Sequence, residues 1–337
     1  MKYIYRLIVA TLLLSLCSCS SVHNIQLNTL RPAEVSYHHI MPAVVVVNNC
    51  LSDTLHESSR YIDENGKQYR LTSETDSISQ LMAMSLGSLL YDSNAFERVE
   101  IFTPDSNNIS GIEGIEKPLL AQWKVYAPDD IFIAINAITP IINMQVTPID
   151  GAFTSDLCVV SQAFIECFIP DRDAINIAVS DTLYWQSYGD TPYMANYYLP
   201  DFEECIDESI VSLAQKVSNH FAPYTRVVNR SIFITGHPAM KDAFKYWDNK
   251  QYTEASYIWE YVFKKAKDKG RRAKAAANLA LYHEIEENLV EALRYAREAK
   301  ILLEETKDEE ALYYIINYCH DLEKRNADAN RLDESIL

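Results

Sequence analysis

Residues 43–49 read AVVVVNN. Four consecutive valines closed by two asparagines have the unbroken β-branched character of a strand buried on both faces, as parallel sheets use. Downstream of a polar loop, Ile78, Leu81, Met82, Leu86, Leu89 and Leu90 recur at helical spacing. Ser77 with Gln80 makes a capping box at the start of that helix. Residues 96–102, FERVEIF, then read as a second strand. Strand, loop, helix, strand is a βαβ-like order. It assigns residues 41–235 to an α/β or α+β domain with a mixed sheet.

Further along, the helical signal fades. DDIFIAINAI, SDLCVVSQAFIECFIP, AINIAVS and DTLYWQSYG are four β-rich segments suited to antiparallel strands. Tyr184 and Trp185 within the last are expected to pack on the sheet, with a ligand platform as the less favoured reading. Pro200 introduces a helix whose apolar face is Phe202, Ile206, Ile210, Leu213, Val217 and Phe221. The acids Asp201, Glu203, Glu204, Asp207 and Glu208 crowd its first half, where the helix dipole favours negative charge, so they call for no catalytic role. TRVVNRSIFI is expected to close the domain as a last strand.

Residues 236–337 read as all helix. AFKYWDNKQYTEASYIWEYVFKKA and ANLALYHEIEENLVEALRYAREAKIL are two versions of one pattern, with Tyr246, Tyr252, Ala255 and Trp259 matching His283, Leu289, Ala292 and Ala296 at an offset of 37 residues. Tetratricopeptide repeats have a period of about 34 residues, and the excess falls in the AKDKGRR connection. A fifth helix, apolar at Leu312, Ile315, Ile316, Cys319 and Leu322, reads as the cap that a repeat array needs, with a polar, fraying end after about residue 326. An ordinary pair of helical hairpins would give a similar pattern.

Upstream, Lys2 and Arg6 precede the apolar run 7–16, which is too short to span a bilayer and reads as a secretory signal over residues 1–18. It ends in LCSCSS. Bacterial lipoprotein signals place a small residue directly before the lipidated cysteine. Ser18 precedes Cys19, whereas bulky Leu16 precedes Cys17, so Cys19 is assigned the lipid and the mature N-terminus. Residues 19–40 then read as a polar tether. Residues 20–24 carry no acid, which by the sorting rules known for bacterial lipoproteins implies the outer membrane with the body facing the periplasm.

Composition narrows the function classes. The net charge is −17, of which residues from 241 onward carry 17 Lys+Arg against 20 Asp+Glu. An acidic body argues against nucleic acid as a partner. Only 8 glycines occur, and no phosphate-binding loop, nucleophile elbow, zinc-protease motif or C-x-x-C pair is present. His38 and His39 have no acid or cysteine at ligand spacing. The expectation is therefore no metal, no cofactor and no catalytic residue. The cysteines match no disulfide framework, and a Cys158–Cys167 bridge would require the segment between them to fold back.

Lipobox, LRPAEV, the VVVVNN strand, DTLYW and the terminal YW…QYTEA…IWE together resemble an uncharacterised family of Bacteroidetes-type lipoproteins with C-terminal tetratricopeptide repeats. More loosely, the α/β part resembles periplasmic domains of the curli-secretion channel lipoprotein and of lipoprotein activators of peptidoglycan synthases. With no motif to nominate a nucleophile or base, the anchored α/β domain with helical repeats is expected to be a non-enzymatic interaction or scaffold protein of the cell envelope, holding a protein partner. The alternative is an unrecognised enzyme or ligand-binding domain in the β-rich middle. Mapped onto the repeat pattern, the partner-binding face is Phe244, Trp247, Asp248, Lys274, Leu281 and Glu284, and packing of that face on the α/β domain competes with partner binding. Exported proteins of such lineages carry O-glycans at Asp-[Ser/Thr]-apolar sites, which nominates Thr54, Ser77 and Thr182.

Overall fold

The computed structural model describes residues 22–37, 42–50, 57–71, 78–103, 114, 120–122, 125 and 127–336. The chain is an N-terminal mixed-sheet region followed by a helical region. The strands are β1 (Val22–Arg31), β2 (Ala43–Asn48), β3 (Arg60–Ile62), β4 (Gln68–Arg70), β5 (Arg98–Phe102), β6 (Ile131–Ile149), β7 (Ala152–Phe168), β8 (Ile175–Gly189) and β9 (Tyr224–Phe233). The helices are α1 (Ile78–Asp92), α2 (Pro192–Tyr197), α3 (Phe202–Phe221), α4 (Pro238–Asp248), α5 (Tyr252–Lys265), α6 (Lys269–Ile285), α7 (Leu289–Glu304) and α8 (Glu309–Ile336).

Two compact units form, and their boundary departs from the sequence expectation. Pro32–Tyr224 makes one, while β1 joins Thr225–Glu334 in the other. So 22–31 is a strand and not a tether, and β9 belongs with the helices and does not close the sheet domain. The two strands make a two-stranded sheet of their own.

In the sheet unit, β2 runs parallel to β5 and to the first part of β6, with Val45 opposite Glu100 and Phe132. The central valine run thus has a strand on each side, as its unbroken apolar character requires. Strands β6, β7 and β8 form a long antiparallel meander. A register shift between Ile135 and Ala137 inserts Asn136 as an extra residue. Before it, Ile131, Ile133 and Ile135 enter the main core; after it, Ile138, Ile142 and Met144 do, and Val146 is buried at the same parity. Side chains alternate with period two, so the one-residue insertion moves the inward set from odd to even numbers. On β7, which carries no shift, Leu157, Val159, Ala163, Ile165 and Cys167 stay inward throughout. Pro140 falls between the part of β6 paired to β2 and the part paired to β3. A residue without an N–H is tolerated where one flank lacks a strand.

Helices α1 and α3 cover one face of the sheet, through Met82, Leu86 and Leu90 and through Ile206, Ile210, Leu213, Val217 and Phe221. Asp201 caps α3 by accepting from Glu203 N at 3.1 Å, in keeping with a structural role for the acids around it. At the end of β8, α2 closes so tightly that a Cβ built on Gly189 would lie 2.7 Å from Met194 C and collide with the Ala195 amide. Backbone, unlike a flexible side chain, cannot yield there. Gly189→Ala is expected to destabilise the sheet unit by about 1–3 kcal/mol. Thermal melting checks this, and a loss within a few tenths of a kcal/mol would contradict the packing.

In the helical unit, α4 and α5 form one hairpin and α6 and α7 a second. The 37-residue offset recurs in the hydrogen bonds of their turns. Asn249 N, Lys250 N and Gln251 N donate to Lys245 O, Trp247 O and Tyr246 O; Glu286 N, Glu287 N and Asn288 N donate to Tyr282 O, Glu284 O and His283 O. Lys250 and Glu287 both take left-handed φ, 60° and 57°. Ala255, Trp259, Ala292 and Ala296 are fully buried between helices. α8 continues to Ile336 through the stretch expected to fray, and Arg325 and Asp328 are buried on it.

Candidate functional site

The face nominated on the helices is an interior face. The β1–β9 ribbon lies across α4, α6 and α8. The backbone N and O of Phe233 bond the Asn278 amide, each at 2.8 Å. Ser231 N donates to Tyr314 Oη at 2.9 Å, and the His23 ring packs 4.9 Å from that of Phe244. Val22, Ile25, Leu27, Ile232 and Phe233 give the ribbon an apolar side that the helices cover. Trp247, Leu281 and Glu284 are buried, Phe244 is partly buried, and Lys274 pairs with Asp308 at 2.8 Å. Of the six nominated residues only Asp248 remains exposed. These side chains are taken up by packing inside the helical unit, Trp247 against Tyr252 and Trp259 and Phe244 against His23 of the ribbon.

Beneath the ribbon lies a charged cluster that the sequence did not announce. The fully buried Glu284 carboxylate accepts from Arg230 Nε and Nη2, both at 2.9 Å, from Tyr318 Oη at 2.7 Å, and pairs with Arg325 Nη1 at 2.9 Å. Asp321 meets Arg230 at 3.1 Å and Glu287 meets Arg325 at 2.7 Å. Burial alone would raise the Glu284 pKa, but hydrogen bonding and charge from Arg230 hold it below the usual range. Burial pushes Tyr318 well up, so it stays a donor. Every charge is spent on a neighbour, and the cluster works as a clamp between β9, α6 and α8.

The accessible candidate is the outer face of the β6–β7–β8 meander. Register places Tyr184 opposite Cys158, and Cys158 opposite Asn143. Even-numbered residues of β8 point outward: Tyr184 is 76% exposed and Tyr188 63%. Phe164 on β7 is 55% exposed, whereas Trp185 turns inward and packs on the core. The two aromatic neighbours therefore divide between the readings weighed for them. An open depression of about 460 Å³ lies here, lined among others by Arg60, Asn143, Gln145, Asp156, Tyr184 and Gln186. Arg60 Nε donates to Asn143 Oδ1 at 3.1 Å, Gln186 Nε2 to Asp156 Oδ1 at 2.6 Å, and Tyr188 Oη to Gln186 Oε1 at 2.6 Å. Amides that hold an arginine and an aspartate in register beside two tyrosines suit recognition by hydrogen bonding and ring contact. Burial raises the Cys158 thiol, against a smaller opposing effect of its bond to Tyr184. It is a protonated thiol and not an activated nucleophile.

Other candidates resolve simply. Asn49 Nδ2 bonds Asn136 Oδ1 at 2.9 Å and Asn48 Nδ2 bonds Ser79 Oγ at 3.1 Å, so the two asparagines ending the valine run tie the strand to its surroundings. Cys158 and Cys167 are free and lie on one strand facing opposite ways, so the bridge considered for them does not form. Among the described residues no group of three or more His, Cys, Asp or Glu could hold a metal. Thr182 sits on the outer side of β8, beside Asp181, which turns inward to Ser212 at 2.5 Å and Lys216 at 2.5 Å. Cys19, Thr54, Ser77, His38 and His39 lie outside the described residues.

Residues 130–233 match a domain of unknown function (DUF8603), and residues 241–324 match a second domain of unknown function (DUF6340). The first spans the meander, α2, α3 and β9; the second spans most of the helical hairpins. No curated protein matches the chain. Both matches are consistent with an uncharacterised family.

Proposed function

We propose that the protein is a Bacteroidetes-type lipoprotein, lipidated on Cys19 and anchored in the outer membrane with its body in the periplasm. Its helices are tetratricopeptide-like repeats that serve as structure, and it acts as a non-enzymatic module that holds an envelope protein through the outer face of the meander. It needs no cofactor and binds no nucleic acid. The observation that carries the binding face is the contrast between two surfaces. The repeat face is largely buried within its own unit, while Tyr184 and Tyr188 stand in solvent at the depression and Phe164 is exposed farther along the same face of the meander. Tyrosine is enriched at interfaces because it adds large contact area with a polar tip at small entropic cost.

A photocrosslinker at Gln186, exposed between the two tyrosines, is expected to trap a partner in cells, and one at Asp248 is not. Tyr184→Ala with Tyr188→Ala should abolish the crosslinked product at unchanged melting temperature. A product retained by that double variant would remove the face from consideration. The anchor is tested separately. Labelled fatty acid should enter the wild type and Cys17→Ser and should be lost in Cys19→Ala; labelling that survives Cys19→Ala overturns the assignment.

A second reading, a small ligand in the depression, is favoured by its volume, which lies within the usual range of ligand pockets, about 300–1,000 Å³. A ligand would raise the melting temperature with dose.

A further inference from the structure

Two residues, Ser20 and Ser21, separate Cys19 from Val22, where β1 begins, which makes three steps along the chain. An extended chain covers at most about 3.6 Å per residue, so Val22 can stand no more than about 11 Å from residue 19. A flexible segment spanning residues 19–40 would instead give an r.m.s. reach of about 25 Å. Strand β1 is bound to the helical unit along its length. It pairs with β9, Thr29 Oγ1 donates to Arg226 O at 3.1 Å, and Ser231 Oγ donates to Asn24 Oδ1 at 2.9 Å. Val22, Ile25 and Leu27 pack on the helical core, and His23 packs on Phe244. At the far end Arg31 is buried and meets Asp328 at 2.6 Å.

From this geometry we infer that β1 is the mount of the anchor. The strand occupies the repeat face as an internal ligand and seats the helical unit directly on the lipid surface, with the Val22 and Phe244 side nearest the headgroups. The inference rests on the lipidation of Cys19 for its membrane, but not for the grip of the strand. The covalent path from anchor to body runs through β1 and then residues 32–37. If the strand is docked, that path is redundant: severing it beyond β1 leaves the body held by pairing and packing alone. If the segment is a tether, severing it frees the body.

A protease site inserted between Ala33 and Glu34 makes the distinction in the full-length chain. Native lipidated protein in membranes and a chain beginning at Ser20 behind a hexahistidine, held on nickel-bearing vesicles, are cut and sedimented in parallel. The body is expected to stay with the membranes, leaving at least about tenfold more slowly than it is cut, as a slowly dissociating contact does. It should come away in urea. A site inserted between Ser21 and Val22 lies before the strand, and cutting there should release the body at the rate of cleavage. Ile25→Asp together with Arg31→Ala should convert slow release at the 33/34 site into prompt release. Prompt release of the otherwise unaltered chain cut at 33/34 overturns the docked strand. Loss of uncut lipidated protein from membranes would refute the lipid anchor, and the nickel arm would still decide the grip of the strand.

Discussion

Glu284→Gln is expected to lower the melting temperature of the helical unit by about 10–20 °C, from a loss of about 3–5 kcal/mol. The wild-type carboxylate is fully buried and neutralises two buried guanidiniums, those of Arg230 and Arg325. Glutamine keeps the shape and one oxygen acceptor but removes the charge. Arg230 is left with Asp321 at 3.1 Å, whose side chain is half in water, and Arg325 with Glu287, which is mostly exposed. An uncompensated charge in a poorly polarisable interior costs far more than the pair gains, so breaking one partner is the severe perturbation. Replacing Arg230 by methionine as well should recover part of the loss, because one unpaired cation is then gone. Fluorescence of Trp247 and Trp259 follows the transition. A shift of a degree or two for Glu284→Gln would mean that water reaches the cluster.

The same group sets a pH dependence. The folded pKa of Glu284 is depressed below its ordinary 4.5. The unfolded chain therefore binds this proton more readily than the folded one. The contribution is complete above about pH 4.5 and is lost as pH falls through the depressed folded value. The helical transition of the wild type should weaken on acidification below that point more steeply than that of Glu284→Gln. Parallel curves for the two would remove Glu284 as a source of acid sensitivity.

Trp247→Ala is the second large effect, at about 3–5 kcal/mol. The ring lies 5.2 Å from that of Trp259 and 4.6 Å from that of Tyr252, and it is almost wholly enclosed. Removing it empties the space between α4 and α5 at the point where their turn closes, and the buried alanines around it cannot collapse to fill the void. The melting temperature should fall while a crosslinked partner is retained. An exposed binding residue would give the reverse, a lost partner with unchanged melting, and that result would restore the helical face as the site.

These two residues show where local pattern stops being informative. Helical spacing placed Trp247 and Glu284 on one side of α4 and α6, and the turns confirm their equivalence at 37 residues. Their shared face could be read, but not what lies on it. Nothing within a helix states whether its apolar face meets a partner, a second domain or a strand from the same chain. Val22, Ile25 and Leu27 are too sparse to declare a strand among HNIQLNT, and the strand they do form meets its neighbour across a sequence separation of nearly two hundred residues, Thr29 to Arg226.

The same division runs through the sheet unit. By itself the sequence determined the buried character of AVVVVNN, the apolar stripes of α1 and α3, the acidic cap of α3 and the helical repeat spacing, because each follows from the period of one element or the chemistry of one end. Only the tertiary structure decided that Tyr184 faces water while Trp185 faces the core, since a strand's two faces are interchangeable until a neighbour fixes its register. It also decided that Asn136 is the inserted residue, that β1 and β9 belong to the helices, and that Glu284 is a buried counter-ion. Those outcomes depend on which distant segments cover one another, and burial is a property of the pair and not of either segment alone.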